Sequence, residues 1–110
     1  MKFFILFTSF LLCAAAVYAH PPSSVNISRK GTTIEVVVTH TVSNPSQHYI
    51  KLIEVFLNGK MIIEQHFCLQ TANSQQAVYN IPELKNGDTV EVEADCNQFG
   101  ELKQKIIIKE

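Results

Sequence analysis

The sequence predicts an all-β chain, an immunoglobulin-like seven-stranded antiparallel β-sandwich, and three observations carry that reading. From His20 onward the apolar residues alternate with polar ones or gather in short β-branched runs, and no stretch shows the spacing of an amphipathic helix. Turn signals separate the runs, the clearest being Asn58-Gly59 and Asn86-Gly87-Asp88. Seven such runs fill roughly 90 residues, the strand number and size of an immunoglobulin-like sandwich.

The first segment is not part of that pattern. Lys2 precedes Phe3-Phe4-Ile5-Leu6-Phe7 and Phe10-Leu11-Leu12, and the run closes on Val17-Tyr18-Ala19, small residues at the spacing a signal peptidase accepts. Residues 1–19 therefore read as a signal peptide and 20–110 as one domain, with His20 the new N-terminus. A membrane anchor would need a longer apolar run and a basic stop beyond it, so no membrane association is expected once the signal is removed. Cys13 does not sit in a lipoprotein site, because Leu11 and Leu12 stand where small residues are needed. Export to a periplasmic or secreted location follows, and there Cys68 and Cys96 meet disulfide-permissive conditions.

Along the domain, Val25 to Ser28 reads as a short first strand. Thr33 to His40 follows, with Ile34, Val36, Val38 and His40 on one face. Tyr49 to Leu57 is the third, and Asn58-Gly59 hands it to a fourth from Met61 to Phe67. Ala77 to Ile81 is the fifth. Thr89 to Cys96 alternates cleanly, with Val90, Val92, Ala94 and Cys96 inward and Glu91, Glu93 and Asp95 outward. Leu102 to Lys109 is the seventh.

Composition narrows the function. A net charge of −1 for the 110 residues, about −2 without the leader, leaves no basic patch to neutralise a phosphate backbone, so no nucleic-acid partner is expected. Hydrophobic residues at 46% and charged residues at 17%, with four glycines and four prolines, describe a folded chain and exclude disorder or collagen-like repeats.

The topology brings chemistry together. In an immunoglobulin-like sandwich the segment before the first strand and the loops joining the second to the third and the sixth to the seventh strands share one end. His20, His40, His48 and Cys96 occupy those positions, so four metal-binding groups from four places in sequence meet at one pole. Three imidazoles and a thiolate suit iron, zinc or copper and not calcium or magnesium. Singly, each residue reads more simply: a surface histidine, or a cysteine buried for its apolarity or paired with Cys68. His66 and Cys68 share a face of the fourth strand and read as an exposed pair, with a minor second site as the alternative.

Two segments carry a family resemblance. His48-Tyr49-Ile50-Lys51-Leu52-Ile53-Glu54-Val55 followed by Asn58-Gly59-Lys60, and Asp95-Cys96-Asn97-Gln98-Phe99-Gly100, resemble the His-Tyr-Ile segment and the Cys-Asn-x-His-Gly ending of the superoxide reductases, also called desulfoferrodoxins and neelaredoxins. The resemblance spans nearly the whole of 20–110. It implies a sandwich holding one mononuclear, non-haem iron by four equatorial histidines and an axial cysteine. His20, His40 and His48 then stand as histidine ligands and Cys96 as the axial thiolate. The fourth histidine falls on Phe99, the loop between His40 and His48 is longer than the family pattern, and the family's Glu-Lys pair, whose lysine attracts superoxide, falls at Tyr18-Ala19.

Three functions follow as expectations. The first is a superoxide reductase-like iron protein, needing superoxide or another small oxidant and an external one-electron donor. The second is a non-enzymatic module that binds or delivers copper or iron, with the amine and ring of His20 as a chelate. The third is an interaction domain stapled by a Cys68–Cys96 disulfide.

Overall fold

The computed structural model describes residues 21–109. Seven strands run in chain order: β1 Ser24–Lys30, β2 Thr33–Thr39, β3 Ile50–Leu57, β4 Lys60–His66, β5 Ser74–Asn80, β6 Thr89–Cys96 and β7 Glu101–Ile107. All pairings are antiparallel, in one sheet ordered β1-β2-β5 and another ordered β4-β3-β6-β7. The chain crosses between sheets after β2, after β4 and after β5, which makes the expected two-sheet sandwich. No helix among the described residues is long and apolar enough to cross a membrane.

The two-residue period decides which side chains make the core. Ile34, Val36 and Val38 of β2 face Val90, Val92 and Ala94 of β6 across the interior, and all six are fully buried. β3 departs from strict alternation: Ile50, Ile53 and Val55 are all fully buried although 50 and 53 differ by an odd step. A register shift between Ile50 and Leu52 reconciles them, since Ile50 pairs with Cys96 while Leu52 pairs with Asp95, leaving Lys51 as the extra residue of a β-bulge. The bulge lies beside Cys96 and so at the end of the sandwich where the histidines gather.

At the other end, Leu57 pairs with Lys60 across the two-residue turn Asn58-Gly59. Both turn residues have positive φ, 51° and 86°, as the hairpin turn matching strand twist requires. The edge strand β4 is mostly exposed. It is tied to the opposite sheet by the Tyr79 hydroxyl, which donates to Gln65 Oε1 at 2.6 Å, and burial pushes the Tyr79 phenol up to about 12.

Three strands differ from their sequence reading by more than one residue at an end: β1 runs on to Lys30, β7 stops at Ile107, and β5 shifts most. β5 begins at Ser74, three residues before Ala77, because Gln75 and Gln76 pair with Val38 and Val37. Their polar side chains give no alternation to read, and the ladder of β2 recruits them through the backbone.

Candidate metal centre

Three of the four expected groups converge. A donor atom from each of His40, His48 and Cys96 lies within 4.8 Å of the other two. His40 follows β2 on its inward face and is 1% exposed, Cys96 closes β6 at 3% exposed, and His48 leads into β3 half-buried. The His40 and His48 rings meet edge to face, 86° apart with centroids at 4.7 Å. His48 Nε2 stands 3.0 Å from Cys96 Sγ. His20 lies outside the described residues. Its neighbour Pro21 does not: Gly100 abuts it so closely that a Cβ there would come within 2.7 Å of the Pro21 backbone. The start of the described chain therefore rests on the loop that follows Cys96.

Local hydrogen bonds fix the loops that carry these groups. Between β2 and β3, Asn44 organises a turn: its carbonyl accepts from the Gln47 and His48 amides, and its Oδ1 accepts from the Ser46 amide and hydroxyl. Asn97 then staples that loop to the one after β6, with Oδ1 accepting from the Tyr49 amide and Nδ2 donating to the Gln47 carbonyl. The Cys96 amide donates to the Gly100 carbonyl at 2.8 Å, closing the turn, and the Gln98 amide donates to Cys96 Sγ at 3.3 Å.

A residue absent from the sequence reading sits beneath His40. Gln70, 3% exposed in the segment between β4 and β5, places Oε1 2.9 Å from His40 Nδ1. Nothing periodic or motif-like marks it, so only the tertiary contact reveals it.

Electrostatics follow the burial. Desolvation pushes the Cys96 thiol up, opposed in part by the Gln98 amide and the Lys51 ammonium. On the outer face, Glu54, Glu93 and Asp95 bring carboxylate oxygens within 4.8 Å of one another. The Asp95 carboxyl is pushed up first by burial, with Glu101 and Glu54 adding repulsion, and its Oδ1 is buried without a hydrogen-bond partner among the described residues. A cleft of about 330 Å³ beside Cys96 is lined by Lys51, Asp95, Phe99 and Glu101.

Other expectations resolve plainly. Cys68 is exposed and Cys96 buried, and both are free thiols, so no disulfide staples the sandwich. His66 is exposed and its Nε2 stands 3.0 Å from Glu64 Oε1; neither it nor Cys68 joins a metal-capable group of three among the described residues. Phe99, which stands where the resemblance puts a fourth histidine, is 73% exposed with φ at 81°.

The donor set fits a metal of the thiolate and imidazole class. Ligands each about 2.0–2.3 Å from one ion stand roughly 3–4.5 Å apart, close to the spacing already present.

By sequence, no protein-family model and no curated protein matches the chain. Solved structures do. The superoxide reductase (1Fe-SOR) from Giardia intestinalis is similar at a TM-score of 0.62 and 19% identity, over 82% of this chain and 98% of that one. A hypothetical protein from Pyrococcus horikoshii OT3 is similar at 0.56 and 18%, over 78% and 86% of the two chains. The superoxide reductase from Nanoarchaeum equitans is similar at 0.50 and 16%, over 81% and 92%. The sandwich described above is thus the fold of the superoxide reductases.

Proposed function

We propose that the protein is exported and binds one mononuclear non-haem iron through His40, His48 and Cys96, with His20 as a further donor, and that it reduces superoxide with electrons from an external donor. The convergence of two imidazoles and a thiolate at one pole of this fold carries the reading. The abutment of Pro21 on Gly100 supports His20, since the residue joined to Pro21 is then within a short reach of the same loop. The leader of residues 1–19 supports export.

Iron held there supplies a one-electron couple, so that superoxide, one electron and two protons give hydrogen peroxide. The chain's own part is to prepare the donors. The raised Cys96 thiol holds its proton at neutral pH, with His48 Nε2 3.0 Å from Sγ, so metal entry must release the thiol proton. Once deprotonated, Sγ keeps the Gln98 amide as a donor, which tempers its charge.

A second reading, carriage of copper or iron without turnover, has its own observation. The cleft beside Cys96 offers two carboxyls, Asp95 and Glu101, against the single ammonium of Lys51, a lining better suited to a cation than to anionic superoxide. Phe99, in place of a fourth imidazole, leaves the donor set short of the family's.

Metal analysis of protein taken from its own export compartment, with visible spectra of the oxidised form, tests the proposal. One iron per chain with a thiolate-to-iron charge-transfer band, and rapid oxidation of the ferrous form by superoxide, is the expected result. Tight Cu(I) binding without superoxide turnover would replace the first reading by the second, and absence of any bound metal would remove both.

A further inference from the structure

We propose that Gln70 is a positioning residue that locks His40 as its Nδ1–H tautomer and so dedicates the Nε2 lone pair to the metal. The inference deepens the reading given under Proposed function and rests on it for the metal, but the tautomer claim stands on hydrogen bonds alone.

The His40 tautomer depends on which way the Gln70 side-chain amide faces. An amide oxygen and an amide nitrogen have the same shape, so their assignment must come from partners whose roles are fixed. Three backbone partners fix it here. The Ile50 N–H, which can only donate, reaches Oε1 at 3.2 Å. The carbonyls of His40 and Ala72, which can only accept, lie 2.6 Å and 3.0 Å from Nε2. Turning the amide over would set two carbonyls against an oxygen and an N–H against an NH₂, losing three bonds in a buried place. Oε1 therefore faces His40, and because an amide oxygen carries no proton, the bond of 2.9 Å to His40 Nδ1 requires the proton on the ring. A neutral imidazole with Nδ1–H has its lone pair on Nε2, and histidine binds metals as the neutral ring.

The surroundings are built to hold Gln70 in this attitude. Its own amide donates to the Pro45 carbonyl at 3.1 Å, anchoring it to the loop that leads to His48. Ala72, whose carbonyl accepts from Nε2, adopts a φ of 54°, a left-handed conformation that is strained for a non-glycine residue. The segment accepts that strain while turning its carbonyl onto Gln70. All four hydrogen bonds of the side chain are thereby made, and the free choice between His40 tautomers is removed.

The test is two-bond ¹H–¹⁵N NMR of the His40 ring in metal-free protein, above the pH at which imidazole takes up its second proton, together with iron and Cu(I) titration. Wild-type protein is expected to show Nδ1–H, against the Nε2–H form that a histidine free in water prefers. Gln70→Leu is expected to lose that selection and weaken metal binding by about 10–100-fold. Gln70→Glu keeps an acceptor for Nδ1 but sets its second oxygen against the His40 and Ala72 carbonyls, so it is expected to keep Nδ1–H at a cost in stability, and loss of Nδ1–H in the folded variant would overturn the proposal. An Nε2–H tautomer in the wild type overturns the proposal without any variant, which covers the case in which Gln70→Leu does not fold. An unchanged tautomer and affinity in folded Gln70→Leu overturns it equally. If the tautomer behaves as expected but neither metal binds, the locking role stands and the metal reading falls.

Discussion

The two ends of the sandwich each bury polar groups, and they treat them differently. At the hairpin end, Asp88 is 4% exposed, its Oδ1 accepts from Asn58 Nδ2 and its Oδ2 from the Lys85 amide. Asn58 in turn accepts from the Thr89 amide, and the Asp88 backbone pairs with Lys85 and Ile108. Each of these groups is answered by a turn that must be closed, which is what buried polarity does in a structural role. At the opposite end Gln70 is answered in the same complete way, but it serves a histidine whose ring, with His48 and Cys96, brings donor atoms toward one another. A closed network marks structure and a convergence of metal-binding donors marks chemistry, even where burial is similar.

The largest effect that separates the ends is expected from Cys96→Ser. Hydroxyl is a poor substitute for thiolate, so the charge-transfer band should vanish and metal affinity should fall by about 100-fold or more, measured by titration, with the melting temperature nearly unchanged. At the other end Asn58→Ala should do the reverse. It deletes the bonds to Asp88 and Thr89 and forces alanine to a φ of 51°, a loss of about 1–3 kcal/mol in denaturant unfolding, with metal affinity unchanged. Equal effects of both substitutions on affinity would break the comparison.

Acid should also tell the ends apart. Below the raised Cys96 pKa a metal must displace the thiol proton, so apparent affinity should climb about tenfold for each unit of rising pH until that pKa is reached. Asp88 acts on stability instead. Asn58, then the Lys85 amide, holds its carboxyl below the usual range, so its contribution is present above the unfolded value of about 3.9 and is lost as pH falls through the folded one. Asp88→Asn should therefore lower the melting temperature at pH 7 and converge with the parent near the acid limit. The smallest effect is expected at Phe99. Replacing it by glycine relieves the positive φ of an exposed residue, and stability should rise by no more than about 1 kcal/mol.

How much of this was legible in the sequence follows from what each feature depends on. β6 could be read residue by residue, since Val90, Val92, Ala94 and Cys96 keep a strict period of two and all four are buried. β3 was legible as a strand but not in its bulge, because the odd step from Ile50 to Ile53 is resolved only by pairing with β6. The pole where His40, His48 and Cys96 meet could be placed from topology, as loop order fixes which strand ends are shared. Gln70 could not, since its role is set by contacts 20 and 30 residues distant in sequence and by no local pattern. The lining of the cleft beside Cys96 was equally hidden, because Lys51 arrives there by way of the bulge.

The central claim is that His40, His48 and Cys96 hold a single metal ion. X-ray absorption on protein loaded with one equivalent of iron, compared with Cys96→Ser prepared in the same way, tests it most directly. The account predicts one sulfur neighbour and at least two imidazole nitrogens around the iron in the parent, and loss of the sulfur alone in the variant. Iron surrounded only by oxygen, or a sulfur neighbour that persists in Cys96→Ser, would contradict it.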